Sequence, residues 1–137
     1  MGLLLAVLSA LGVASMTTVY VVDDDESVRR ALGRLLKSAG IQALIFASAE
    51  EFLQSEFHTE DACLVTDIRM PGLSGLELQQ ELLKRHIDIP VVFVTAFDSD
   101  DARTQARLAG AAGYFRKPVD DHALLDAIAW AAGGKGL

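Results

Sequence analysis

Strand-like runs alternate five times with helix-like patterns along this 137-residue sequence, and the alternation restricts the fold more than any other feature. The strand-like runs are short and rich in apolar or β-branched residues, whereas the stretches between them repeat apolar residues at the helical period. Strict alternation of this kind predicts a parallel sheet with helices on both faces and right-handed crossovers. The predicted strands are residues 17–22, 41–46, 62–65, 91–95 and 112–116.

Two of the predicted helices begin with a serine followed three residues later by a glutamate. Ser48 with Glu51, and Ser74 with Glu77, have the spacing of a capping box, in which each side chain bonds a backbone N–H of the other residue. A stretch of Met-Pro-Gly at 70–72 forces a turn just before the second of these helices. The predicted helices are residues 26–39, 48–56, 74–85, 99–108 and a last helix capped by Asp120.

Composition excludes several classes of protein. Hydrophobic residues make up 51% of the chain and charged residues 23%, which favours a folded domain over a disordered segment. The formal net charge is −7 and no dense basic run offsets it, so direct binding to nucleic acid is not expected. Cys63 is the single cysteine, so it forms no internal disulfide, and its apolar neighbours predict a buried side chain.

Residues 1–16 differ from the rest of the chain because residues 1–15 carry no charged side chain. About 20 apolar residues are needed to span a bilayer, so this leader is too short for a transmembrane helix. It resembles the apolar part of a signal peptide but lacks a preceding Lys or Arg. We expect Met16 to be the natural start and residues 17–137 to form one domain. No membrane association is expected unless the leader is part of the native protein.

Polar residues follow four of the predicted strands at the point where each strand ends. In a parallel sheet these ends meet at one edge, which is where open α/β sheets bind their ligands. We therefore expect one rim to collect several carboxylates, a hydroxyl group and an ammonium group. The residues at these ends are Asp23, Asp24, Asp25, Asp67, Thr95 and Lys117.

Such a rim suits a divalent cation and phosphoryl transfer. Clustered carboxylates repel one another, and a hard ion such as Mg²⁺ relieves the repulsion and binds phosphate oxygens as well. A metal ion, an ammonium group and a hydroxyl group together stabilise the charge on a transferring phosphoryl group. Asp67 is the expected covalent acceptor, since carboxylates form acyl phosphates.

Each of these residues taken alone also has a structural explanation. Asp25 is expected only to cap the following helix. Thr95 could be an ordinary strand residue and Lys117 a solvated one. Asp67 taken alone would be an even choice between a structural and a functional role. The combination favours a site, because independent structural explanations would have to coincide at one edge of the sheet.

Four separated motifs resemble those of the response-regulator receiver (CheY-like) domain. The resemblance covers residues 17–130 in order and spacing and is strongest to the FixJ-like nitrogen-fixation regulators. It implies a flavodoxin-like (βα)5 fold, a doubly wound parallel α/β sheet with strand order 2-1-3-4-5. The motifs are VVDDDESVR at 21–29, TDIRMPGLSGLEL at 66–78, VTA at 94–96 and YFRKPV at 114–119.

The resemblance also implies a role for each matching residue in a two-component system. Asp67 would receive a phosphoryl group from a phosphohistidine of a sensor histidine kinase or phosphotransfer protein, with Mg²⁺, or Mn²⁺ in its place, as cofactor. Lys117 would pair with the phosphoryl group, while Thr95 and Tyr114 would act as switch residues and Lys117-Pro118 as a cis peptide. The implied metal ligands are Asp24, Asp67, Asp23 through water and the backbone carbonyl of Arg69.

The implied output is a change in protein contacts. Phosphorylation would alter the face formed by the fourth helix, fifth strand and fifth helix, which would bind a partner or a second copy in a homodimer. The resemblance implies a cytoplasmic protein that is not an enzyme beyond its own phosphorylation and dephosphorylation. Phe97, two residues after Thr95, is large and apolar at a position that modulates dephosphorylation in the family, so an altered phosphoryl lifetime is expected.

Three other functions fit the sequence less well. A receiver-like interaction module that works without phosphate usually has a degraded acidic pocket, whereas this one is intact in sequence. A Mg²⁺-dependent phosphatase with an aspartyl nucleophile would require a second acid two residues after Asp67, where the sequence has Arg69. A flavin binder is disfavoured by the acidic rim. Related regulators continue into a helix-turn-helix domain, so we expect either a single-domain receiver or a chain whose output domain was removed.

Overall fold

The computed structural model describes residues 17–133, and the predicted leader at 1–16 lies outside the described residues. Five parallel strands form one sheet in the order β2-β1-β3-β4-β5, which confirms the predicted strand order and the alternating βα architecture. The strands are β1 Thr18–Val22, β2 Gln42–Phe46, β3 Ala62–Thr66, β4 Val91–Thr95 and β5 Gly113–Arg116. The helices are α1 Glu26–Ser38, α2 Ala49–Gln54, α3 Gly75–Lys84, α4 Asp100–Leu108 and α5 Asp121–Ala132.

Helices cover both faces of the sheet, so the central strands are buried along their whole length. Every residue of β1, β3 and β4 is buried. One face packs against α2, α3 and α4 around Tyr20, Phe52 and Phe93. The opposite face packs against α1 and α5, where Leu36 and Ile128 are central. Alternate residues of one strand therefore enter different cores, as the pleat of a strand requires.

Both predicted helix starts are confirmed. The predicted capping box is complete at α3 and only half formed at α2. Ser74 and Glu77 form a complete reciprocal capping box at the start of α3. At α2 the Ser48 hydroxyl accepts a hydrogen bond from the Glu51 amide, as predicted. The Glu51 carboxylate, however, accepts from the amide of Ala47, one residue before the cap, so the second half of that capping box is replaced by a neighbouring bond.

The described part of the chain shows no candidate membrane span, because none of its helices is long and apolar enough to cross a bilayer. Cys63 is fully buried in the core, as predicted. Burial raises the pKa of the Cys63 thiol to about 12, so this cysteine is a poor nucleophile at neutral pH.

Candidate functional site

The carboxyl ends of β1 and β3, which are neighbours in the sheet, bring together three carboxylates from two distant parts of the sequence. Asp23, Asp24 and Asp67 each offer one carboxylate oxygen, and these three atoms lie within 4.8 Å of one another. Asp23 and Asp67 are buried, whereas Asp24 is exposed to solvent. Asp25, by contrast, caps α1 through a bond from the Ser27 amide, as predicted.

Lys117 reaches this acidic cluster from the carboxyl end of β5. Its Nζ donates hydrogen bonds to Asp23 Oδ2 at 2.9 Å and to Asp67 Oδ2 at 3.0 Å. The peptide bond between Lys117 and Pro118 is cis, as the resemblance implied. Burial alone would lower the pKa of Lys117, but the hydrogen bonds and the negative charges of the two aspartates outweigh it and raise that pKa. Lys117 is therefore a stable cation in the rim.

The environment of Asp23 differs from that of Asp24. Burial raises the pKa of Asp23, and the bonds from the Asp25 amide and from Lys117 oppose this effect only in part. Both Asp23 oxygens are used within the protein, since Oδ1 accepts from the Asp25 amide at 2.9 Å and Oδ2 accepts from Lys117. The Asp24 carboxylate accepts no hydrogen bond from residues 17–133 and faces solvent, which leaves it available to a metal ion.

Asp67 is held between β3 and α3. Its Oδ1 accepts from the amide of Ile68 at 2.6 Å, while its Oδ2 faces Lys117. The first residue of α3, Gly75, lies directly against the Asp67 backbone, because a Cβ added there would overlap the Asp67 carbonyl oxygen. A side chain that is 6% exposed and bonded at both oxygens has a fixed orientation, which a reacting group requires.

Thr95 and Tyr114 lie on neighbouring strands, β4 and β5. Thr95 is fully buried, and its hydroxyl oxygen accepts a hydrogen bond from the Phe97 amide at 3.0 Å. The Tyr114 hydroxyl is buried and has no hydrogen-bond partner among the described residues, and the same holds for Asp98 Oδ1. Burial, with the nearby Asp98 as a second cause, raises the pKa of Tyr114.

Two contacts beside the acidic cluster were not predicted from the sequence. The Arg69 guanidinium lies 4.5 Å from the centroid of the Phe97 ring, in a cation–π contact. Glu50 Oε2 accepts a hydrogen bond from the Leu73 amide at 2.8 Å, which connects α2 to the loop after Asp67. Local sequence patterns do not report either contact, because each joins residues far apart in the chain.

The residues of the rim suit a hard divalent cation. Carboxylate oxygens are the preferred ligands of Mg²⁺, which also keeps several waters and binds phosphate oxygens. The exposed Asp24 can supply a direct ligand, and one Asp67 oxygen already lies within 4.8 Å of the Asp24 ligand atom, so both can reach the same ion. The donor set is therefore appropriate to magnesium in charge and chemistry.

Comparison with known proteins identifies the family. The sequence profile described as "Response regulator receiver domain" matches residues 19–129. The chain belongs to the response-regulator receiver family. This receiver domain resembles the solved structure of FixJ-N with a TM-score of 0.81 and 34% identity, covering 90% of this chain and 99% of that one. It resembles the response regulator StyR with a TM-score of 0.80 and 43% identity, covering 87% and 60% of the two chains.

The curated relatives of the receiver domain include a nodulation protein and a transcriptional regulatory protein. Nodulation protein W of Bradyrhizobium diazoefficiens is 44% identical over 110 residues, which are 80% of this chain and 48% of that protein. Transcriptional regulatory protein FixJ of Azorhizobium caulinodans is 40% identical over 110 residues, 80% and 52% of the two chains. The chain thus spans about half the length of the curated relatives it matches, and the predicted resemblance to FixJ-like regulators is confirmed.

Proposed function

We propose that this receiver domain accepts a phosphoryl group on Asp67 from a phosphohistidine of a sensor kinase or phosphotransfer protein. A carboxylate oxygen of Asp67 forms a bond to phosphorus as the bond between phosphorus and the imidazole nitrogen breaks, and the nitrogen keeps the electron pair. The observation that supports this role most strongly is the convergence of Asp67, the carboxylates of Asp23 and Asp24, and the Lys117 ammonium at one edge of the sheet.

The remaining rim residues prepare the site for the transfer. Lys117 neutralises charge beside Asp67 and can follow a phosphoryl oxygen, since its Nζ already lies 3.0 Å from the acceptor carboxylate. Mg²⁺, or Mn²⁺ in its place, would be held by Asp24, Asp67 and the backbone carbonyl of Arg69, with Asp23 acting through water, and would balance charge on the phosphoryl oxygens. The indirect role of Asp23 is what the family resemblance implies; internal hydrogen bonds do not distinguish it, since Asp23 and Asp67 each form two.

The signal would leave the site through Thr95 and Tyr114. A phosphoryl group on Asp67 adds negative charge and strong acceptor oxygens, which attract the Thr95 hydroxyl away from the Phe97 amide. The Tyr114 ring would exchange its contact with the Arg103 guanidinium, which lies 5.3 Å from the ring centroid, for the space that Thr95 leaves. This movement would repack the surface of α4, β5 and α5, which we propose as the surface for a partner protein or a second copy.

We further propose that the protein acts in the cytoplasm and through protein partners. A formal net charge of −7 disfavours direct contact between this chain and nucleic acid. The match covers 53% of transcriptional regulatory protein TdiR of Thauera aromatica, so the regulatory role in that name does not by itself assign one to this domain. No enzymatic role beyond the phosphorylation and dephosphorylation of Asp67 is proposed.

Radiolabelled acetyl phosphate and a phosphorylated histidine kinase serve as two independent donors to test this proposal. We expect labelling of the wild-type domain by both donors with Mg²⁺, no labelling with EDTA, and no labelling of Asp67→Asn under any condition. Asp88→Asn is the matched control, because Asp88 is an exposed acid before β4, at the opposite edge of the sheet. Wild-type levels of label on Asp67→Asn would disprove the assignment.

A further inference from the structure

The loop between β3 and α3 carries more of the proposed site than Asp67 itself. Residues 68–74 include Arg69, whose backbone carbonyl is the proposed metal ligand after the carboxylates. The two ends of the loop are held together, since the Gly75 amide donates a hydrogen bond to the Ile68 carbonyl at 2.8 Å. Gly75 also packs on the Asp67 backbone. The turn of the loop at Gly72 has a φ of +78°, a conformation that favours glycine.

One side chain from another element bonds this loop. Glu50 Oε2 accepts a hydrogen bond from the Leu73 amide at 2.8 Å, across 23 residues of sequence. Among residues 17–133, the only other side chain from outside the loop and α3 that hydrogen-bonds to it is that of Asp67, whose Oδ1 accepts from the Ile68 amide. The contact is also tight, because a Cβ added at Gly72 would lie 2.5 Å from the same Glu50 oxygen.

The backbone that carries Glu50 is held in place by the packing of α2. Glu50 belongs to the first turn of α2, and its neighbours Ala49 and Phe52 are fully buried in the core. Ser48 caps the helix, so the backbone beneath Glu50 is fixed at the helix start. A carboxylate in the first turn is also favoured by the helix dipole. The loop is therefore tied to the core of the domain through a charged acceptor, which forms a stronger bond than a neutral one.

We propose that Glu50 is a positioning residue for the metal site, acting through the loop that presents the Arg69 carbonyl. This inference rests on the proposed function, because it takes that carbonyl as a ligand. Groups that orient metal ligands without touching the metal typically change affinity by about 10- to 100-fold when they are removed. The Leu73 amide that Glu50 binds is four residues beyond Arg69 in the chain, so we place the effect of Glu50 at the lower end of that range.

Calorimetric titration with Mg²⁺ in the absence of any phosphoryl donor tests the proposal. We expect Glu50→Ala to raise the dissociation constant about 10-fold, and Glu50→Gln, which keeps an acceptor oxygen, to stay within about 3-fold of wild type. Glu51→Ala is the matched control: it removes the same charge from the same helix turn but has no bond to the loop, and it should stay within about 2-fold. Urea unfolding of each variant separates loss of affinity from loss of fold.

The outcomes distinguish this inference from the proposed function. If Glu50→Ala binds Mg²⁺ as tightly as Glu51→Ala does, the positioning role of Glu50 is wrong while the metal site stands. If Glu50→Gln is as weak as Glu50→Ala, charge rather than the hydrogen bond is responsible, and the inference is equally overturned. If the wild-type domain binds no Mg²⁺ at all, the proposed metal site falls and the inference falls with it.

Discussion

Lys117 is the residue on which the charge balance of the rim depends. It is the ammonium group placed between two buried carboxylates, and its side chain is 20% exposed. Breaking a buried ion pair by removing one partner costs about 3–5 kcal/mol, and partial exposure reduces that cost. Lys117 therefore contributes to the fold as well as to the proposed chemistry, and the two roles can be separated by adding a metal ion.

Replacing Lys117 with methionine should lower the free energy of unfolding by about 1–3 kcal/mol in EDTA, because it leaves buried acids without a cation. The loss should shrink with saturating Mg²⁺, since the ion neutralises the same carboxylates and stabilises the native state that binds it. Urea unfolding with EDTA and with Mg²⁺ measures both values. An equal loss in the two conditions would show that Lys117 and the ion do not share a site.

The contribution of Lys117 to the free energy of unfolding should fall only at high pH. The folded-state pKa of Lys117 is raised above its ordinary value of 10.5, because its bonds to Asp23 and Asp67 outweigh the opposing effect of burial. The stabilisation by Lys117 is therefore complete when the pH is below 10.5, the ordinary pKa. It is lost as the pH rises through the raised pKa of the folded state. In EDTA, the difference in stability between wild type and Lys117→Met should stay constant from pH 7 to 9 and narrow only above pH 10.5.

Phe97 gives a second prediction at the scale of single residues. Phe97 is 49% exposed, and its ring contacts the guanidinium of Arg69, which is two residues after Asp67 in the chain. We expect the pair to restrict the approach of water to a phosphoryl group on Asp67. We expect Phe97→Ala to shorten the phosphoryl lifetime by about 3- to 10-fold, a change of about 1 kcal/mol in the barrier. Loss of label from purified phosphoprotein measures it. Leu108→Ala, at an exposed apolar residue of α4, is the control, and equal lifetimes in both variants would contradict this role.

At the scale of secondary-structure elements, local patterns in the sequence predicted most of the strands and helices. Short apolar runs predicted all five strands within a residue or two, because strands buried on both faces tolerate few polar residues. Serine caps predicted the starts of α2 and α3. The bond that the Ala47 amide donates to Glu51 was missed, because the capping-box spacing predicts Ser48 as the donor instead. The contact of Glu50 with the loop was missed because it depends on how α2 is oriented in three dimensions.

Two glycines, one at the start of α3 and one in the middle of α1, allow a matched pair of substitutions. Gly75→Ala should destabilise the domain by about 1–3 kcal/mol, because the new methyl group would overlap the Asp67 carbonyl oxygen. Gly33→Ala, in the middle of α1, should instead stabilise it by about 0.5–1 kcal/mol, since an added Cβ meets no atom within 4 Å. Thermal or urea unfolding compares the two, and a neutral Gly75→Ala would contradict the close packing of α3 on the acceptor residue.

At the scale of the whole molecule, the topology of the sheet explains why the sequence could predict that these residues meet at one edge. Parallel strands bring residues 23, 24, 67 and 117 to one edge regardless of side-chain detail, so motif spacing was sufficient. Partner surfaces are harder to predict from the sequence, because exposed residues follow no periodic pattern. Leu108, which is 79% exposed on α4, is recognisable as a surface apolar residue only once the helix is oriented.

We expect phosphorylation, or its mimic beryllofluoride with Mg²⁺, to shift the domain toward a dimer through α4, β5 and α5. Leu108→Asp should abolish the shift by adding a charge to that surface, whereas Leu44→Asp, on the edge strand β2, should not. Size-exclusion chromatography with light scattering reports the mass. A dimer that forms equally well in Leu108→Asp would exclude this part of α4 from the interface.

The most direct test of the central claim is to locate the phosphoryl group in the chain. Borohydride reduces an aspartyl phosphate to homoserine, which peptide mass spectrometry detects as a change at one residue. After labelling with Mg²⁺, we predict homoserine at position 67 and unmodified aspartate at positions 23 and 24. Homoserine at 23 or 24, or phosphate recovered only on a histidine, would contradict the account.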